Sequence, residues 1–135
     1  MITLRHAIKI VATRTAVYRA LTDMDEMGAW HLGSVEGLIA SGEELVLIPK
    51  PGIRFAWRTE SLEPDSRIVQ TCTEGSGSSP GRTLIFSLAD GDDGRTLVEL
   101  SDGEWQSDDP HLPFCNTHWG EVLHRLKDYV EHDAG

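Results

Sequence analysis

Near the C-terminal end of the chain, Cys115, Trp119, Val122, Leu123, Leu126 and Val130 fall at i, i+4, i+7, i+8, i+11 and i+15. That spacing predicts one long amphipathic helix with an apolar stripe of about four turns. Asn116, Glu121, Arg125 and Asp128 take the opposite side. Pro110, with Asp108 and Asp109 before it, suits a helix start, while Pro113 places the regular part slightly later. The stripe must be buried against something, and from Gly33 to Trp105 the pattern is of a different kind. Apolar and polar residues there alternate with period two, and segments 35–40, 44–48, 53–62, 67–73, 82–89 and 96–100 read as strands. Clusters rich in glycine, proline, serine and aspartate separate them, as tight connections require. In 53–62, Ile53, Phe55, Trp57 and Thr59 share one face and Arg54, Arg58 and Glu60 the other. The expected sheet is an antiparallel meander with one dry and one wet face.

Ahead of the meander, residues 2–11 read as a first strand whose even positions are apolar apart from His6. Thr13 is placed to cap a helix over 14–22, with Val17, Leu21 and Met24 on one face. Asp23 or Asp25 is placed to cap a second short helix through Met27, ended by Gly28. The segment from Gly75 to Gly81 is the one low-complexity stretch. It reads as a mobile hairpin loop, because no helix follows to make it a phosphate cradle. A single domain over residues 1–135 is expected at this length. Its class is α+β: a curved antiparallel sheet of six to seven strands wrapped around the long C-terminal helix, with two short helices after the first strand.

Charge narrows the function classes. The net charge is −10, the wrong sign for neutralising phosphates, so neither nucleic acid nor an anionic membrane is an expected partner. No apolar run approaches the roughly 20 residues that cross a bilayer, and no signal peptide is visible, so a cytoplasmic location is expected. Cys72 and Cys115 are too few for a disulfide framework and read as reduced, partly buried thiols.

Four pieces of the chain, in order, resemble the START-like, helix-grip (SRPBCC) superfamily, and within it the small proteins similar to the C-terminal domain of the Hsp90 ATPase activator. They are Ile10-Val11-Ala12-Thr13 through Val17 to Asp23 with Trp30; Trp57 to Leu62 with Pro64, Arg67-Ile68-Val69 and Cys72; Thr83 to Leu88 with Gly94, Thr96, Val98 and Leu100; and Cys115-Asn116-Thr117-His118-Trp119-Gly120 with Leu123, Leu126-Lys127 and Val130. The resemblance spans almost the whole chain. It departs from relatives at Ser78-Ser79-Pro80-Gly81, where an aromatic residue is common, and at Asp102-Gly103-Glu104-Trp105, where a His often precedes the Gly-Trp. It implies the helix-grip fold and a cavity between sheet and helix. Superfamily members include lipid carriers, hormone and flavonoid binders, polyketide aromatases and co-chaperone domains, so fold alone does not select among these functions.

The expected function is binding of a small, largely apolar ligand, lipid-like or aromatic, in that cavity. Trp30, Phe55, Trp57, Cys72, Phe86, Trp105, Phe114, Cys115, His118 and Trp119 are the expected lining residues. His118 is the polar group most suited to orient a ligand. An aromatase- or cyclase-like enzyme using His118 with Asp102 or Glu104, and a protein-interaction domain with a protein partner, are the alternatives. Cys115 and His118 have the residue types of a nucleophile and its base, but a buried thiol explains the cysteine more simply. His111, Cys115 and His118, at i, i+4 and i+7, share a helical face, yet Pro113 interrupts it, and two polar histidines beside a packed cysteine is the simpler reading. No metal, cofactor or assigned catalytic residue is expected.

Overall fold

A computed structural model describes residues 1–75 and 80–133. The chain runs β1 (Ile2–Ile10), α1 (Arg14–Thr22), α2 (Met24–Trp30), β2 (Ser34–Gly37), β3 (Glu44–Lys50), β4 (Ile53–Glu63), β5 (Arg67–Glu74), β6 (Thr83–Asp90), β7 (Thr96–Trp105) and α3 (Leu112–Asp128). A short 3-10 turn, Asp92–Gly94, joins β6 to β7, and a π-helical turn, Tyr129–Asp133, follows α3. The seven strands form one antiparallel sheet in the order β1-β7-β6-β5-β4-β3-β2. Strands β2 to β7 make the predicted meander, and β1 lies beyond β7 at the far edge. The helical pair α1–α2 carries the chain from one edge of the sheet to the other. This is the α+β helix-grip architecture.

Local chemistry explains most boundaries. The Thr13 hydroxyl accepts from the Ala16 N–H at 3.1 Å and starts α1, and the Asp23 carboxylate accepts from the Glu26 N–H at 3.1 Å and starts α2. Helix α2 continues through Gly28 to Trp30, past the end predicted at Met27. The buried Trp30 indole donates to the Ala20 carbonyl at 2.9 Å, and this anchor outweighs the poor helix propensity of one glycine. Strand β2 stops at Gly37, three residues short of the predicted end. Gly37 has φ +94°, and a Cβ there would collide with the Glu44 carbonyl oxygen of β3, so only glycine lets the strands pair this closely. Pro113 sits in the first turn of α3, where its missing N–H costs nothing. Most of the Gly-Ser stretch, residues 76–79, lies outside the described residues.

The predicted stripe is the buried face of α3. Trp119, Val122, Leu123, Leu126 and Val130 are buried, and Cys115 is half-buried at the N-terminal end. They pack with Val17 and Leu21 of α1, Met27 and Trp30 of α2, and Ile10, Ile68, Leu84, Phe86, Val98 and Leu100 of the sheet. Ile2, the first residue of the predicted apolar face of β1, is exposed. Among the described residues no helix is long and apolar enough to cross a membrane.

Candidate functional site

Packing is tight around the C-terminal half of α3 and opens around its N-terminal half. There a cavity of about 520 Å³ lies between α3 and the strands β3, β4 and β7. Leu47, Pro49 and Lys50 of β3, Ile53, Phe55 and Trp57 of β4, and Asp102 and Trp105 of β7 form the sheet side. Phe114, Cys115, His118, Trp119 and Glu121 form the helix side, with His111 just before the helix, Leu32 after α2 and Arg82 just before β6. The opening exists because α1 and α2 are too short to cover the whole concave face of the sheet.

Its walls are largely aromatic. Phe55 stacks on the His118 imidazole, with centroids 6.3 Å apart and planes 25° apart. Trp57 and Trp119 pack at 6.2 Å in a tilted pair, and Phe86 meets Trp119 edge-on at 6.4 Å from behind. Of the ten side chains expected to line a cavity, Phe55, Trp57, Trp105, Phe114, Cys115, His118 and Trp119 do so. Phe114 stands at the mouth and is 76% exposed. Trp30 and Phe86 lie instead around a neighbouring void of about 30 Å³, together with Trp57 and Trp119. Cys72 is in the core, where its thiol donates to the Glu74 carbonyl at 3.4 Å.

The polar groups are unevenly placed. Asp102 and Glu104 do not share a face, contrary to the alternation of a regular strand: Asp102 is buried and Glu104 exposed. Ile2 of β1 pairs with Trp105 and Leu4 with Asp102, so two steps on β1 span three on β7. This bulge turns Asp102 and Trp105 inward together and Glu104 outward. Gly103 permits it, because a Cβ there would lie 2.7 Å from Thr3 Oγ1 on β1.

Asp102 Oδ2 accepts a hydrogen bond of 2.9 Å from the Trp119 indole N–H, which fixes the helix to the sheet at the closed end of the cavity. Burial pushes the Asp102 carboxyl above the usual carboxylate range, against the opposing pull of Trp119, Arg82, Trp105 and His6. Beside it, the Arg82 guanidinium lies over the Trp105 ring, its central carbon 3.0 Å from the ring centroid. Arg82 Nη2 donates to Asp109 Oδ2 at 3.2 Å, and Nε donates to the Glu104 carbonyl at 3.2 Å. Both partners of this ion pair are buried. Asp109 in turn accepts from the His111 N–H at 2.8 Å and so supports the start of α3. Sequence reading missed Arg82, Leu32, Leu47, Pro49, Lys50 and Ile53 as cavity residues, and Glu121, expected on the side of α3 opposite the apolar stripe, borders the cavity as well. Leu47 and Ile53 carry an alternation signal, but a lone arginine after a glycine-rich loop reads as solvated.

Cys115 does not have the environment of a nucleophile. Burial pushes its thiol up to about 11, and the nearby Asp102 carboxyl adds to the rise. Burial also lowers the His118 imidazole below its ordinary value. At neutral pH the pair is therefore a thiol and a neutral imidazole, and no hydrogen bond joins them among the described residues. His111, Cys115 and His118 all border the cavity, yet no group of three His, Cys, Asp or Glu among the described residues is placed to hold a metal ion.

Comparison with known proteins agrees with this architecture. No functionally curated protein matches the sequence. The solution structure of the Aha1 dimer from Colwellia psychrerythraea superposes with a TM-score of 0.88 at 25% identity, covering 100% of both chains. Protein MLL2253 from Mesorhizobium loti gives 0.84 at 15% identity, covering 98% of each. DynU16, a putative protein in the dynemicin biosynthetic locus, gives 0.80 at 19% identity over 96% of this chain and 47% of its own. The latter two similarities are of fold alone. The family described as Activator of Hsp90 ATPase homolog 1-like protein matches residues 11–131, and with the helix-grip fold in place the chain belongs to that family.

Proposed function

We propose that this protein binds a small, largely apolar ligand with an aromatic or acyl body in the cavity between the sheet and the N-terminal half of α3. One observation carries the reading: a space of about 520 Å³ between sheet and helix, walled by Phe55, Trp57, Trp105 and Trp119. Ligand sites commonly span roughly 300–1,000 Å³ and combine apolar walls with a few placed polar groups. Burial of the ligand's apolar surface drives association, at about 25 cal/mol per Å² before the cost of immobilisation. His118, stacked on Phe55 and neutral, supplies one hydrogen-bonding edge to orient the ligand. A protonated thiol at Cys115 favours binding over nucleophilic catalysis.

A thermal-shift panel of fatty acids, sterols, flavonoids and aromatic polyketides tests the proposal. A ligand present at 100 times its Kd adds about 2.7 kcal/mol. For a domain of this size that raises Tm by several degrees, on the order of 5–10 °C. Silence across all four classes with folded protein overturns the binding reading.

A further inference from the structure

The closed end of the cavity holds a carboxyl with only half its hydrogen bonding in use. Asp102 is 3% exposed, and Trp119 occupies Oδ2. Oδ1 is buried and has no hydrogen-bond partner among the described residues. The indole N–H of Trp105, which is 1% exposed and borders the same cavity, lies near enough to the Asp102 carboxyl to help pull its pKa down but makes no hydrogen bond of good geometry. A buried carboxylate oxygen and a buried indole N–H left unmade each cost about 1–3 kcal/mol, more for the charged group. Native interiors rarely keep two such groups side by side without a use for them. The bulge at Gly103 is what brings both inward, since a regular strand would place residues 102 and 105 on opposite faces.

We infer that Asp102 and Trp105 form a hydrogen-bonding subsite for a hydroxyl group on a ring of the ligand, the O–H donating to Asp102 Oδ1 and its oxygen accepting from the Trp105 indole N–H. This rests on the reading of the cavity as a ligand site and adds what the ligand must carry. One hydroxyl satisfies a lone acceptor and a lone donor with a single atom. An ether or ketone supplies no proton for Oδ1. A carboxylate would meet Asp102 as a second acid, with the Arg82 charge already taken by Asp109. An ammonium offers no acceptor to Trp105. The Asp102 carboxyl is faced by Arg82 from the start of β6, His6 from β1, Trp119 and Cys115 from α3, Cys72 from β5 and Trp105 from its own strand. Its raised pKa follows from burial. Trp57, Trp119 and the Phe55–His118 stack border the same cavity and give the ring that bears the hydroxyl aromatic walls to lie against.

The probes are flavone and its monohydroxy and monomethoxy derivatives substituted at the same ring position, titrated by calorimetry into the full chain. The hydroxy compound is expected to bind at least about tenfold more tightly than the methoxy compound, the margin of one hydrogen bond to a charged or strongly polar group. In Trp105→Phe, which keeps an aromatic ring under Arg82 but removes the donor together with part of the indole, the ratio of hydroxy to methoxy affinity is expected to shrink to within about threefold, whatever the change in the two absolute affinities. If Trp105→Phe fails to fold, the wild-type series alone decides. Equal affinities for the hydroxy and methoxy compounds would overturn the subsite and leave the cavity reading standing. No binding by any of the three overturns the subsite, and silence in the wider panel as well removes the cavity reading with it.

Discussion

Replacing Trp119 with Phe isolates the bond that ties α3 to the sheet. The change removes the indole N–H that Asp102 Oδ2 accepts at 2.9 Å, and it leaves a ring to pack against Trp57 and Phe86. The buried carboxyl then loses the one hydrogen bond of good geometry that the described residues give it. Losing a hydrogen bond to a charged buried group costs about 1.5–3 kcal/mol, and trimming the indole to a phenyl adds about 1 kcal/mol for the void, so a loss of about 2–4 kcal/mol is expected. Trp57→Phe is the control. That indole packs at the same place and borders the same cavity, but no hydrogen bond holds it among the described residues, so only the loss of about 1 kcal/mol from volume applies. Urea unfolding of both variants, followed by circular dichroism, gives the comparison. The N–H stabilises the Asp102 anion, so the Trp119→Phe penalty is expected to shrink as the solution is acidified and the carboxyl takes up its proton. Equal losses for the two variants, independent of pH, would refute the assignment of this bond as the clamp.

Two further outcomes follow from buried charges. His31 is 5% exposed, and burial lowers its imidazole to about 4, with His118 and Arg125 adding to the effect. Because the folded value lies below the unfolded one near 6.5, the unfolded chain takes the proton first on acidification; the contribution of about 3 kcal/mol is present above about pH 6.5 and gone by about pH 4. His31→Gln is expected to flatten that slope in stability against pH, and an unchanged slope would remove His31 as its source. Arg82→Lys is expected to cost about 3–5 kcal/mol, measured by urea unfolding, because lysine cannot reproduce both the bond to Asp109 and the stacking on Trp105 and leaves a buried carboxylate poorly paired. Full stability in the lysine variant would show that the pair is not desolvated.

What the sequence made legible, and what it hid, divides along a physical line. The α3 stripe, the caps at Thr13 and Asp23, and the meander with its turns are properties of short windows, and periodicity of 3.6 or 2 is enough to see them. Aromatic residue type also points to the site, since Phe55, Trp57, Trp105 and Trp119 border the cavity. It cannot separate a cavity wall from the core behind it, because both need large apolar side chains. Phe86, on a strand between them, packs edge-on against the far side of Trp119, and nothing in its own neighbours along the chain says which side of that indole it takes. The polar end of the cavity was hidden for a stronger reason. In the sequence Gly103 makes a bulge possible, yet Asp102 and Glu104, two apart, read most simply as a solvated rim, and only the misalignment of β1 on β7, set where Thr3 approaches Gly103, splits them. A bulge is a property of two paired strands nearly a hundred residues apart in the chain, so no window contains it. Arg82 is a consequence of the same step. Once Trp105 is turned inward, its ring becomes the face on which a guanidinium is stacked, and the arginine is buried by a residue whose own orientation was not readable. The groups that decide which ligand fits therefore sit where local periodicity fails, and the groups that form the container sit where it holds.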